Sequence, residues 1–467
     1  MKIKVKNLGV IKQAEFSLGD FTIICGENNT GKTYATYALY GFLDLWRKRF
    51  SFDDYRYIPD KAFDELRENG VTRLNIAEYA QNAQKILDRI CRGYTLDLHD
   101  VFAASEEKFQ DSKFQVFLEN DVLSYSLKPM SFERNIGIGR QTLSLTKEKG
   151  NEELEISLLV DRQIRNLPPR FIERRIAGAI NKIIFSPLFP TPFIVSAERT
   201  GAAIFRKELN FARNRLLKEM SQADEKIDPR ELLYKSYQDY PSPVEKNVDF
   251  TRQLEDVAKQ KSFLASKHPE VLKKFADIIG GTYRVTRNDE LYFIPMGKRV
   301  KLGMDESASG VRSMLDIGFY LRHVAKRGDL LMVDEPELNL HPENQRRIAR
   351  LFARLVNLGI KVFITTHSDY IVKELNTLIM LNQDKTHLKK IAKREGYDNS
   401  EFLDPERIKL YIAEEALIKL DGNQRRTRCQ TLVEAEINPE LGIEARSFDI
   451  TIDEMNRIQD AILWEED

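Results

Sequence analysis

Cysteine is scarce. Cys25, Cys91 and Cys429 lie far apart and form no Cys-x-x-Cys pair. That spacing argues against a disulfide framework and against a structural zinc site, and it makes a reducing cytoplasm the expected compartment. No apolar run approaches the roughly 18 residues needed to cross a bilayer. The stretch Met1–Phe16 has no signal-peptide apolar core, so no membrane partner is expected. Net charge is lacking as well: 72 Lys plus Arg balance 72 Asp plus Glu. This argues against a polybasic coat for nucleic acid, though it leaves room for a local basic face. There is no internal repeat, no low-complexity segment, and no helical stretch long enough for a coiled-coil arm. The chain of 467 residues is 42% hydrophobic and 31% charged, a composition that fits a helix-rich globular protein of two or three lobes.

The hydrophobic pattern gives the order of elements. "KIKVKNLG" and "IKQAEFSLGDFTIIC" alternate with period two and predict an antiparallel β start. "KTYATYALYGFLDLWRKRF" has helical spacing, residues from about 50 to 92 read as helical, and the text from about 93 to 160 turns strand-like. "PPRFIERRIAGAINKIIF" reads as a helix with proline at its start, and "TPFIV" as a short buried strand. Residues 201–280 read as a charge-rich helical insertion broken at Pro229 and at Asp239–Glu245. A hairpin turning at Asn288-Asp289 follows, then a single helix, "GVRSMLDIGFYLRHVAKR", and an alternation of strand and helix that predicts a parallel sheet. The expected fold class is α/β, with an N-terminal antiparallel β subdomain, a central mostly parallel sheet and a helical insertion. The expected boundaries are a first lobe at 1–200, the insertion at 201–280, a second lobe at 281–382 and a mixed α/β extension at 383–467.

Four short segments carry chemistry. "GENNTGKT" places Gly26, four residues, then Gly31, Lys32 and Thr33 between an apolar strand and a helix. Successive backbone N–H groups through Asn28, Asn29, Thr30 and Gly31 can surround a β-phosphate, Lys32 can reach the β/γ oxygens, and the Thr33 hydroxyl can bind Mg²⁺. "LLMVDEPE" ends a buried strand in Asp334 and Glu335, at the carboxyl end where ligands bind in open α/β sheets. There Asp334 can hold Mg²⁺ through water and Glu335 can polarise an attacking water. Uncompensated, two successive buried acids cost desolvation. "VFITTH" ends a further strand in His367, placed to sense a γ-phosphate or to cap the strand. "ESASGVRSML" opens a helix with Ser309 and Gly310, which is either an anion-binding end or an ordinary cap.

In this order the segments resemble ABC-class ATPases, in particular the SMC-like branch that includes the OLD-family enzymes. The resemblance covers most of residues 1–382. It implies ATP and Mg²⁺ as cofactors and a homodimer or higher homo-oligomer in which two heads sandwich ATP. Ser309 and Gly310 of one subunit would contact the γ-phosphate held by Gly31, Lys32 and Thr33 of the other, and Glu335 would be the general base. Leu338, Asn339 and His341 match the dimer-facing segment after the acids, although His341 reads equally well as a packed surface residue. Two features depart from the pattern. The signature is "SASGVRS" rather than the Leu-Ser-Gly-Gly-Gln of transporters, and no Gln-loop stands out. Val195–Gly201 sits in the place of that loop. Glu198 or Arg199 there takes a metal- or water-related role, or the segment is an ordinary salt-bridged turn.

"SAERTG" and the ending "GIEARSFDITIDEMNRIQDAIL" are similar to the compact AAA15 group within this class, which includes the ATPase subunits of the Septu, retron and PARIS anti-phage systems. That resemblance implies an ATPase that assembles with, senses or restrains a separately encoded toxic effector such as a nuclease, with nucleic acid, including retron DNA or RNA, as a further partner. No TOPRIM-like acidic cluster follows the sheet, and His387 stands without an HNH set, so no nuclease site is expected in this chain. Two other readings are an SMC-like DNA-repair or DNA-clamping head and a scaffold that binds ATP but turns over slowly. The first would draw phosphate contacts from Arg170, Arg174, Arg175, Arg206, Arg213, Arg215, Arg425, Arg426 and Arg428.

Overall fold

The computed structural model describes residues 1–49, 59–118, 130–138, 141–159, 169–206, 240–286, 290–443, 454 and 457–460. The hairpin turn at Asn288-Asp289, the part of the insertion that holds Arg213 and Arg215, the side chain of Arg170, and most of the tail motif after Ile443 lie outside the described residues. Contacts divide the chain into two units. One comprises Met1–Lys4, Gly41–Asp97 and Lys113–Thr191; the other comprises Val5–Tyr40, Leu98–Ser112 and Pro192–Asp467.

The first unit contains a four-stranded antiparallel sheet in the order Val71–Asn75, Glu153–Leu159, Gln141–Lys147, Phe132–Ile138. In Glu153–Leu159 the buried residues are Leu154, Ile156 and Leu158, the alternation that puts one face of a strand on a core. Val71–Asn75 falls within the stretch read as helical. Its valine, its threonine and the αL turn at Gly70 favour an extended strand after the helix Asp60–Asn69. The core is aromatic: Phe42 meets Phe114 at 5.2 Å and Phe189 at 5.4 Å between ring centroids, and Trp46 meets Phe189 at 5.3 Å.

The second unit is built on a six-stranded sheet. Its order is Arg426–Glu434, Ile408–Lys419, Phe21–Cys25, Lys361–Thr366, Leu330–Asp334, Pro192–Val195. All neighbouring pairs are parallel except the edge pair of Ile408–Lys419 with Arg426–Glu434. Phe21–Cys25 and Leu330–Asp334 are buried along their whole length, as expected of strands covered on both faces. The registers pair Cys25 with Thr366, Asp334 with Thr365, and Val333 with Val195. The carboxyl ends of four parallel strands therefore open on one edge of the sheet. The residues from 383 onward, read as a mixed α/β extension, supply the two strands on the other side of Phe21–Cys25. The insertion contributes helices Ser242–Arg252, Leu254–Val257, Phe263–Lys267 and Pro269–Ile279 to this same unit.

Helix Pro342–Asn357 shows how sequence makes the supporting layer. Pro342 has its φ pre-set for the first turn, and the His341 ring accepts from the Glu343 N–H at 3.3 Å as an N-cap. Ile348, Leu351, Phe352 and Leu355 form the buried face, each contributing about 2 kcal/mol by leaving water. Gly359, at φ 88°, ends the helix before strand Lys361–Thr366. The segment read as one helix from Gly310 is broken. It runs Ser309–Ser313, then Leu315–Phe319, then a π-helical turn Tyr320–Val324. Gly318 lies under Phe275 and Tyr283, where an added Cβ would come within 2.8 Å of either ring. Among the described residues, no helix is long and apolar enough to cross a membrane.

Candidate functional site

The loop after Phe21–Cys25 requires glycine at two positions. Gly26 has φ 141°, and a Cβ on it would lie 2.6 Å from the Ala413 carbonyl oxygen. Gly31 has φ 96°, and its Cβ would lie 2.6 Å from the Ile11 side chain. Asn28 and Asn29 are exposed on the loop, and Asn29 also holds a left-handed backbone at φ 62°. Thr30 is pinned at both ends: its hydroxyl donates to Glu27 O at 2.8 Å, and its carbonyl accepts from Gln430 Nε2 at 3.1 Å. Lys32 begins the helix Lys32–Arg49 and is buried. Its ammonium donates to Gly26 O at 2.9 Å and Glu27 O at 2.7 Å. Burial pushes Lys32 below its ordinary range, against the attraction of Glu335, Asp334 and Glu337.

The acids meet this loop from the neighbouring strand end. Thr33 Oγ1 lies 3.3 Å from Asp334 Oδ2, and the other carboxylate oxygen, Oδ1, accepts from the Thr365 hydroxyl. Asp334 is almost wholly buried, and burial pushes its carboxyl up to about 6. Glu335 has φ 52°, uncommon for a residue with a side chain. Its N–H donates to Thr365 Oγ1 at 3.1 Å and to Thr365 O at 3.2 Å. This turn leaves the Glu335 side chain 23% exposed, 3.8 Å from His367 Nδ1. Glu337 is buried. It accepts from the Thr366 hydroxyl at 2.9 Å and the His367 N–H at 2.8 Å, and the His367 ring nitrogen Nδ1 lies 3.2 Å from it. Burial raises the Glu337 carboxyl.

Thr33 and Asp334 form a pair of hard oxygen donors, the kind of set that Mg²⁺ completes with phosphate oxygens and water. Among the described residues, no group of three His, Cys, Asp or Glu side chains could hold a metal alone. The set therefore fits a cation that arrives with a phosphate. The loop fits a phosphate because its two positive-φ glycines, crowded by Ala413 and Ile11, let the backbone turn tightly into the N-terminus of helix Lys32–Arg49.

Arg199 lies in the segment Val195–Gly201, which the sequence places where a Gln-loop would stand. It is 2% exposed. Nε donates to Ser313 O at 2.8 Å, Nη1 to Ser196 O at 2.9 Å and Asp334 O at 2.7 Å, and Nη2 to Glu335 O at 2.7 Å. The segment is thus a carbonyl clamp and not an ordinary salt-bridged turn. Glu198 accepts from Tyr37 OH at 3.2 Å and adds to the negative field at Asp334.

Ser309 is exposed at the start of its helix, and Gly310 packs so closely on Asn339 that a Cβ would come 2.8 Å from the Asn339 carbonyl oxygen. Ser313 Oγ donates to Gly310 O and Leu338 O, both at 3.0 Å. Among the described residues, no hydrogen bond joins Ser309 or Gly310 to the loop Gly26–Thr33 of the same chain.

Gly26, Lys32, Thr33, Asp334, Glu335 and His367 therefore share one edge of the sheet, and among the described residues no hydrogen bond ties Ser309 or Gly310 to them. Glu337 and Thr365 were not singled out from the sequence. Their signal was there as a third acid in "DEPE" and as the doubled threonine in "FITTH". Of the arginines read as phosphate contacts, Arg206 is buried and donates to Thr251 O at 2.7 Å, and Arg428 pairs with Glu415 at 3.3 Å. Burial removes Arg206 from that role.

A family model described as an AAA ATPase domain matches residues 1–372. No curated protein matches the sequence. Among solved structures, an SMC head bound to the C-winged helix domain of ScpA aligns over 92% of this chain and 97% of its own, at 10% identity and a TM-score of 0.32. An SMC head with an extended coiled coil, bound to the C-terminal domain of ScpA derived from Pyrococcus furiosus, aligns over 98% of each chain at 13% identity and a TM-score of 0.31. The SMC head of Thermotoga maritima aligns over 93% of this chain and 98% of its own, at 11% identity and a TM-score of 0.30.

Proposed function

The chain belongs to the AAA ATPase domain family, and from that premise we propose that it is an ABC-type ATPase head whose site is closed by a second copy. One observation carries this reading: the Thr33 hydroxyl meets the Asp334 carboxylate at 3.3 Å, with Glu335 beside them facing solvent. Thr33 and Asp334 would hold Mg²⁺, which when bound draws negative charge off the phosphate oxygens. Lys32 leaves the carbonyls of Gly26 and Glu27 for the phosphate. Glu335 accepts a proton from the water that attacks, giving ADP and phosphate. His367, oriented by Glu337, faces the same space and steadies the charge that develops on the γ-phosphoryl oxygens. Ser309 and Gly310, with no bond to their own loop, serve the loop of a second copy.

The biological role proposed is control of a partner. "SAERTG" and the tail motif support a place among the anti-phage ATPases, where ATP-dependent association of heads assembles or restrains a separately encoded effector such as a nuclease. The test has two stages. Lys32→Ala should abolish nucleotide binding and ATP-driven association measured by light scattering. Glu335→Gln should retain binding, stabilise the associated form and lower turnover by on the order of 10²-fold or more. Co-purification with the product of the adjacent gene then tests the effector. Turnover stimulated by DNA, with binding that falls steeply in salt, would instead favour a DNA-clamping head.

A further inference from the structure

The arginine of the segment Val195–Gly201 is built for a task that a structural residue would not need. A buried guanidinium is costly, and a role confined to stability is usually served as well by an apolar side chain of similar volume. All four recorded bonds of Arg199 go to backbone carbonyls. Two of those carbonyls belong to Asp334 and Glu335, and a third belongs to Ser313 on the helix that carries Ser309 and Gly310. Glu335 is held from both sides in its left-handed conformation, its N–H by Thr365 and its carbonyl by Arg199. The same helix is fastened again to the segment after the acids through Ser313 Oγ and Leu338 O, and through the close approach of Gly310 to Asn339.

We propose that Arg199 is a positioning residue that makes the turn Asp334–Glu335 and the helix Ser309–Ser313 move as one piece. The proposal rests on the composite-site reading above. Engagement of a second copy's nucleotide by Ser309 and Gly310 then sets the carboxylate of Glu335 on the first copy's own nucleotide, and the two sites fire together. Arg199 touches no reacting atom; it acts through Glu335.

Arg199→Lys keeps the cation but replaces the planar fork by a single ammonium, which cannot span carbonyls on two elements. The expected result is a kcat lower by on the order of 10²-fold, since a small misplacement of a catalytic group costs about that much. Nucleotide affinity, measured with a fluorescent ATP analogue, should change by less than about threefold. Because Arg199 works through Glu335, adding Arg199→Lys to Glu335→Gln should lower turnover no further. If Arg199→Lys loses its cooperative melting transition, Ser313→Ala replaces it as the probe. That variant spares the buried cation and removes only the hydroxyl bonds to Gly310 and Leu338, and it should show the same kcat-only loss in smaller degree. Unchanged kcat, equal losses in kcat and affinity, or a full further loss on top of Glu335→Gln would each overturn the role of Arg199. Wild-type turnover in Glu335→Gln itself would overturn the hydrolytic reading, and this proposal with it.

Discussion

Asp316→Asn should stabilise the protein in alkaline solution and much less in acid. Asp316 is 3% exposed on the helix Leu315–Phe319. Oδ1 accepts from Thr251 Oγ1 at 3.3 Å, and Oδ2 has no partner. Among the described residues, Arg199 and Tyr283 are charged or titratable groups that interact with it. Burial pushes the carboxyl from 3.8 up to about 7, even though Arg199 and the Thr251 bond pull it down. The folded carboxyl thus holds its proton more tightly than the unfolded one, and ionising it destabilises the fold. That cost is absent below pH 3.8, grows as pH rises to about 7, and is complete above it. Its full size is about 4 kcal/mol, at roughly 1.4 kcal/mol per pKa unit. Asparagine keeps the shape and the Thr251 bond but cannot ionise. In urea unfolding without nucleotide, the variant should exceed the wild type by up to about 4 kcal/mol at pH 9, and by about 2 kcal/mol at pH 5. Comparing the two proteins at each pH cancels the titrating groups that do not interact with Asp316. A variant less stable than wild type at pH 9, or a gap independent of pH, would mean that Arg199 fully compensates the ionised Asp316 and would refute this reasoning.

Gly310→Ala would drive a Cβ to 2.8 Å from the Asn339 carbonyl oxygen, so the helix Ser309–Ser313 must shift; under the proposed composite site, ATP-driven association and turnover should fall together while nucleotide binding to the monomer, measured by fluorescence, stays intact. Glu401 is buried with Arg350 Nη2 at 2.6 Å and Arg354 Nη2 at 3.0 Å. Glu401→Gln removes the carboxylate nearest both cations, leaving Arg354 only the more distant Asp398 at 3.9 Å, and should cost about 3 kcal/mol in urea unfolding, with little change in kcat.

Elements whose partners are sequence neighbours were legible at once. The phosphate loop, the paired acids and the strand-ending histidine are each contiguous, and their residue types state their chemistry. The helix from Ser309 was legible only in part. Its apolar spacing is helical, but the breaks at Met314 and Tyr320 leave no mark in that spacing, and Gly318 between them packs under Phe275 and Tyr283. The tail gave no sign that Ile408–Lys419 would lie against the phosphate-loop strand, since that pairing joins Tyr411 to Ile24 across most of the chain.

The sequence by itself determined the kind of ligand: glycines, a lysine and a threonine in fixed spacing before a helix admit a phosphate through local backbone geometry alone. Tertiary structure decided how Glu335 is held. The left-handed turn of Glu335, its grip by Arg199 and Thr365, and the tie to Ser313 join residues up to 136 positions apart. Such contacts leave no periodic trace in a sequence, because hydrogen bonds to backbone carbonyls select no particular residue type on the accepting side.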